Sequence, residues 1–404
     1  MEISLFSASA VFQGALPHPV FIMTSLGPIF ADDLARVKPG DRLRLTISAQ
    51  TSDAAALAQA ALEARARGER VLVVCADPAD VPRLAQEMPW FEPNLDVRPL
   101  PDWETLPYDV LSPQEELVSE RLEALYRLTA PTGGADVLLT SAVTASQRLS
   151  PVSYIGANTF FFHQGEQISL TTLQKRLAAA GYANVKQVLA AGEFAVRGSI
   201  VDVFPMGSER PFRLDFFDDE IESIRWFDVD TQRSMESAEE IRLLPGHEFP
   251  VDPEALLAFR QRWRREFAGD PKKSIVYCDI EKEILPPGIE YYLPLFFDET
   301  AALTDYLPPN ARVFLLGDIE AALQAFGRDM ASRYKVLAAD PQRPALAPER
   351  IWLKPEEFFK SLANFARFTV EKKENAEDLK CLSGIEVDRK SQNPVGKLLE
   401  RTRE

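Results

Sequence analysis

The sequence predicts an α/β fold in which a parallel-stranded domain is interrupted by a smaller α+β domain. Three observations carry this. Short, continuously apolar runs, VLVVCA at 71–76 and DVLLTS at 136–141, read as strands covered on both faces. Helical stretches closed by glycine alternate with them, the order expected of a parallel sheet. From about Pro151 to Leu244 the texture changes to strands of alternating character, after which the α/β texture resumes.

The elements follow in order. LRLTISA at 43–49 is a strand, and DAAALAQAALEARARG is a helix ended by Gly68. After DVRPLPDWETLPYD comes a helix in which Ser112 reads as the N-cap, Pro113 as the first helical position and Glu115 as the capping-box partner. Leu117, Leu122, Leu125 and Leu128 give it one apolar side. Gly133 and Gly134 lead into the strand at 136–141. In the interrupting domain, ISLTTLQKRLAAAGY is a short helix stopped at Gly181. Asp252 and Pro253 then open another helix, SIVYCDI at 274–280 reads as a strand, and RVFLLGD at 312–318 runs into a helix through AALQAF. The expected division is a leader at 1–37, a first domain at 38–150 completed by 244–365, the interrupting domain at 151–243, and a charged linker or the start of a further domain at 366–404. The charged end, without a terminal motif, reads as a chain cut short.

Composition narrows the function. A formal charge of -16 and a pI near 4.9 disfavour nonspecific binding to nucleic acid phosphates. The three cysteines, Cys75, Cys278 and Cys381, have no metal or redox spacing, so free thiols in a reducing, cytoplasmic setting are expected. No apolar run reaches the length of a spanning helix, and the apolar N-terminus has Glu2 in place of a basic start.

Catalytic signals are missing. The turn after the first strand reads ISAQTSDAA, without the glycines and lysine that cradle phosphates. LFFDE at 295–299 and LDFFDDE at 214–220 imitate the acidic strand end of an ATPase but read as turn residues. His18, His163 and His247 have no carboxylate or cysteine at ligand spacing, and there is no GxSxG elbow.

What the sequence does present is GEFAVRGSIVDVFPMGSERPFRLDFFDDEI at 192–221. Strand alternation sends Phe212, Leu214 and Phe216 to one face and Arg213, Asp215 and Phe217 to the other. Arg197 likewise faces away from Phe194 and Val196, just before Gly198, which permits a bulge or a close backbone approach. Two arginines and a phenylalanine therefore share an outer face. Two readings stand side by side: a partner-binding surface, or arginines paired within the sheet to an acid such as Asp215, with Phe217 capping the hairpin.

The segments PDWETLPYD at 101–109, SPQEELVSERLEALYRL at 112–128, the 192–221 stretch and GIEYYLPLFF at 288–297 resemble the N-terminal part of bacterial transcription-repair coupling factors. The resemblance runs from about residue 40 to 370. The GxFxxRGxxxDxFP pattern is also similar to UvrB, which, however, carries a phosphate loop in its first domain. The resemblance implies a UvrB-like, degenerate helicase-type α/β domain without a nucleotide site, interrupted by a small UvrA-binding domain. It implies that Arg197, Arg213 and Phe217 contact UvrA, recruiting repair to stalled RNA polymerase by mimicry of UvrB. Full-length members add a polymerase-binding domain and a translocase that uses ATP and magnesium on double-stranded DNA; none of those motifs occur here. The expectation is a monomeric chain with no catalytic, cofactor or metal residues and no membrane association. The alternatives are an ATPase or helicase lobe using LFFDE, or a purely structural module.

Overall fold

A computed structural model describes residues 34, 36–48, 53–130 and 134–373. The leader reading of residues 1–33, the linker reading of 374–404, His18 and Cys381 lie outside them. The first half of the fold contains β1 (Arg42–Ser48), α1 (Asp53–Ala66), β2 (Val71–Cys75), α2 (Asp80–Phe91), β3 (Val97–Pro99), α3 (Glu115–Thr129) and β4 (Val137–Ser141). Short helices α4 (Ala142–Ser146) and α5 (Val152–Ala157) lead to a module made of β5 (Phe160–His163), α6 (Leu170–Ala179) and β6 (Ala183–Asn184). It continues with β7 (Glu193–Arg197), β8 (Ile200–Phe204), β9 (Phe212–Phe217), β10 (Glu220–Phe227), β11 (Ser234–Ala238) and β12 (Glu240–Leu243). The rest comprises α7 (Pro253–Glu266), α8 (Ile275–Glu281), β13 (Arg312–Leu316), α9 (Ile319–Leu337), α10 (Pro348–Ile351), α11 (Pro355–Ser361) and β14 (Ala366–Lys373).

Six of these strands form a parallel sheet in the order β1-β14-β13-β2-β4-β3. Every residue of β2, β4 and β13 is buried, because helices cover both faces. The four aliphatics of β2 alone are worth about 1.5–3 kcal/mol each in removal from water. One core face packs the alanines of α1 with Val81, Leu84 and Met88 of α2. The other receives Leu122, Leu125 and Leu128 of α3.

The interrupting module enters and leaves at one place. β5 and β12 pair antiparallel, with Phe160 opposite Leu243 and His163 opposite Glu240. Its second sheet, β11-β10-β9-β8-β7-β6, is antiparallel except for the β6/β7 pair. Phe194, Val201, Phe212, Leu214 and Ile224 bury one face of it in the same core that holds Leu173 and Leu177 of α6 and Leu125 of α3. Where the module meets α3, the amide of Gly207 donates to Ser119 Oγ at 2.8 Å, and Arg242 pairs with Glu123. Gly207 has φ 74, a left-handed conformation that favours glycine, and a Cβ there would press on the ends of the Glu123 and Leu244 side chains at 2.7 Å.

Four local expectations are corrected. SIVYCDI is not a strand: Ser274 caps α8, accepting from the amide of Tyr277, and Val276, Tyr277 and Ile280 are buried at helical spacing. A short apolar run fits either period, and the cap decides. Ser112 does not cap α3, whose N-cap is Gln114 without a side-chain bond; Ser112 instead donates to Glu290 at 2.9 Å and accepts from the amide of Gly288. The segment at 366–404 does not begin as linker, since Ala366, Phe368 and Val370 are buried in β14, an interior strand between β1 and β13. Leu34 and Val37, assigned to the leader, are buried in the α/β core. LFFDE begins on the last residue of a 3-10 helix at Ile289–Leu295 and continues as a turn, with Asp298 paired to Arg262 at 2.6 Å.

Candidate partner-binding surface

β7, β8, β9 and β10 form a continuous antiparallel platform whose register decides what its outer face presents. Ala195, Asp202, Arg213, Arg225 and Ser237 lie opposite one another across five strands, and Arg197, Ile200, Asp215 and Ser223 form the next row. Phe217 stands beyond both rows, at the tip of the β9/β10 hairpin. Directly opposed residues project to one side of a sheet, so the three sequence-predicted residues share a face. Burial along β9 alternates as the pattern requires, with Phe212, Leu214 and Phe216 buried and Phe217 exposed.

The three differ in what they have left to offer. Phe217 is 69% exposed. It precedes a two-residue turn in which Asp218 has φ 51, a conformation that aspartate tolerates better than most residues. Arg197 ends β7 with its side chain 48% exposed, and one of its amino groups pairs with Asp202. Gly198, φ 64, makes the tight turn into β8, and a Cβ there would meet nothing within 4 Å. The turn uses the permissiveness of glycine, and no backbone approaches.

Arg213 is only 14% exposed and is fully engaged. Its Nε and Nη2 grip Asp202 at 2.7 and 2.9 Å, its Nη1 donates to the Gln232 carbonyl at 3.2 Å and Ser234 Oγ at 3.1 Å, and its carbon lies 5.0 Å from the Phe227 ring centroid. The hydrogen bonds to Asp202 hold the guanidinium pKa above its usual value. Pairing within the sheet is therefore real for Arg213, but the acid is Asp202. Asp215 instead accepts from Ser223 Oγ at 3.0 Å.

Asp202 is the residue that the sequence reading missed. Its side chain is 0% exposed and holds both arginines, so a buried carboxylate lies beneath the outer face. Alternation through IVDVF would have assigned it to the face of Arg213, but only register brings the two together. A small second core of Val188, Ala195 and Phe227 supports it on this side. The outer face is thus partly covered, with Phe217 and Arg197 projecting from it.

Residues 160–249 match the family model described as the UvrB interaction domain. That span opens at β5 and takes in every strand of the second sheet, so the exposed face belongs to a UvrB-type interaction module. The chain is also similar to curated transcription-repair-coupling factors. It is 42% identical over 298 residues to that of Escherichia coli K12, covering 74% of this chain and 26% of the relative. It is 39% identical over 337 residues to that of Haemophilus influenzae Rd, 81% of this chain and 29% of the relative, and 32% identical over 216 residues to that of Bacillus subtilis 168, 50% and 18%. The chain belongs with the transcription-repair-coupling factors, as their N-terminal, UvrB-like region, and spans less than a third of the length of these relatives.

Among the described residues there is no cluster of metal-ligating side chains and no helix long and apolar enough to cross a membrane.

Proposed function

We propose that this chain recruits UvrA for transcription-coupled repair by presenting the surface that UvrB presents, so that excision repair is brought to RNA polymerase stalled at a lesion. The observation that carries the reading is Phe217, a large apolar side chain left 69% exposed at the tip of a rigid hairpin within a UvrB interaction domain. Aromatic anchors on pre-organised elements lose little entropy on docking and dominate interface energies. Arg197 adds a half-free guanidinium beside it, and Arg213 acts mainly through Asp202 by fixing the platform.

In this reading the chain takes no nucleotide and has no catalytic residues. A cleft of about 710 Å³ at the strand ends of the parallel sheet is lined by Asp53, Asp80, Asp318, Glu320 and Glu371, against Arg44. Asp53 at the start of α1 is held by Arg83 at 2.8 Å, which puts a carboxylate where a phosphate would seek the helix N-terminus. Translocation on DNA and release of polymerase are proposed as activities of the full-length coupling factor.

The deciding experiment titrates UvrA against the chain and its Phe217→Ala form by calorimetry, with circular dichroism to verify folding. The substitution is expected to weaken binding by about 2 kcal/mol, roughly thirtyfold. Equal binding by the two folded proteins would refute the surface.

A further inference from the structure

Arg225 lies in the same cross-strand row as Asp202 and Arg213, directly opposite Arg213 on β10, and so projects from the same face. It is exposed. Its guanidinium has no hydrogen-bond, ion-pair or ring partner among the described residues. It therefore differs from Arg213, whose three nitrogens are all occupied, and from Arg197, which shares Asp202.

Like charges directly opposite on neighbouring strands repel, but Arg213 is neutralised by Asp202, which also pairs with Arg197, and Asp215 accepts from Ser223; neither acid pairs with Arg225. Asp202 is fully buried and screens Arg213 from beneath, leaving the outward positive charge to Arg225 and part of Arg197. In a chain of formal charge -16 this is a local reversal of sign. At the other end of β9 the polarity changes again, because Asp218 and Asp219 follow Phe217 in the hairpin turn. Arg213 and Phe217 are four residues apart, about 13 Å along an extended strand. The face thus runs from an acidic, apolar tip to a basic end, and a partner can match it in only one direction.

We propose that Arg225 is a direct contact of this surface, anchoring its basic end on a carboxylate of the partner. The inference rests on the reading of the face as the UvrA-binding surface. A solvated arginine of this kind loses no internal bond when a carboxylate replaces its water. It also steers the approach, since unscreened charges at an interface rim act mainly on the association rate.

The test measures UvrA binding kinetics with the unsubstituted chain and with Arg225→Ala, Arg225→Glu, Arg225→Lys and Phe217→Ala. A further variant, Arg328→Glu, imposes the same charge change at an exposed arginine of α9 in the α/β domain. The expected result is about a tenfold loss for Arg225→Glu at low salt, carried mostly by the association rate and shrinking as ionic strength rises. Arg225→Ala should fall between, Arg225→Lys should stay close to the unsubstituted chain, and Arg328→Glu should have no effect. If Phe217→Ala weakens binding but both Arg225→Ala and Arg225→Glu bind normally, the assignment of Arg225 is wrong and the surface reading stands. If Arg328→Glu weakens binding as much as Arg225→Glu, net charge is the cause and the assignment is again wrong. Failure of the unsubstituted chain to bind UvrA removes the surface reading and this inference together.

Discussion

At the scale of single residues, the outer face of the second sheet depends on one buried carboxylate. Asp202 has no exposure and two guanidinium partners, so its desolvation cost is offset only while both charges stay in place. Replacing it leaves Arg213, packed against Phe227, without its paired carboxylate and with only the more distant charge of Asp215. Asp202→Ala is expected to destabilise the protein by about 3 kcal/mol, the lower end for breaking a buried pair because Arg197 can turn to water. Chemical denaturation of the purified variant reads this directly, and a loss below about 1 kcal/mol would mean that the carboxylate is not the anchor. Arg197, Arg213 and Phe217 were legible as a set from alternation, yet their unequal availability was not. Exposure and donor count depend on Asp202, from the neighbouring strand β8, and on Gln232, from the connection between β10 and β11.

At the scale of elements, the segment PDWETLPYD is a rigid strap. Trp103 is 3% exposed and donates to Glu248 at 3.5 Å, while Glu248 also pairs with the fully buried Arg121 of α3. The Tyr108 ring stands 5.8 Å from Trp352 and 6.0 Å from Tyr291, and its hydroxyl donates to the Leu346 carbonyl at 2.9 Å. Glu104 and Tyr108 have φ of 54 and 65, a strain on the order of 1 kcal/mol or more each that these anchors hold in place. Where the strap meets α3, Ser112 bonds Glu290, and burial, reinforced by the charge of Glu248 and opposed by the hydrogen bonds, pushes the Glu290 carboxyl up to about 7 from 4.5. A carboxyl pKa raised on folding means that the folded state binds the extra proton. Stability from this group is therefore full below about 4.5 and lost as pH rises through about 7. Glu290→Gln should match the parent near pH 4.5 and exceed it above 7, by up to about 3 kcal/mol. Burial lowers His247 to about 4 from 6.5, which has the opposite sign, with stability lost as pH falls through that interval. The two slopes oppose each other in the parent, so the difference between parent and Glu290→Gln, measured by denaturation across pH, is the quantity to follow. A difference independent of pH would rule out the buried carboxyl as its source.

At the scale of the whole molecule, one continuous core joins the two sheets, running from Leu138 of β4 through Leu125 of α3 to Phe212 of β9. The recruitment surface is therefore held on the same body as the parallel sheet. That sheet has the strand-end cleft where α/β proteins of this topology commonly bind ligands, but its lining is acidic. Titration of the chain with Mg-ATP by calorimetry is expected to give no binding up to about 1 mM, a free energy weaker than about -4 kcal/mol. Saturable binding below that concentration would return the ATPase-lobe alternative to consideration.

By itself the sequence determined the parallel α/β order, the interruption of that order by a module of alternating strands, and the shared face of Arg197, Arg213 and Phe217. These are properties of local periodicity and turn chemistry, which act over a few residues. It also determined the resemblance to coupling factors, because whole motifs survive in order along the chain. Tertiary structure decided the rest. SIVYCDI became a helix because Ser274 caps it and its apolar residues find a helical seat against α7 and the 3-10 turn. ARFTVEKK became an interior strand because β1 and β13 leave a gap that its alternating apolar residues fill. The separation of Arg213 from Arg197 and Arg225 was decided by the register that sets Asp202 opposite Arg213. Which charge is spent inside and which faces a partner is a property of pairing between strands, and pairing is not local.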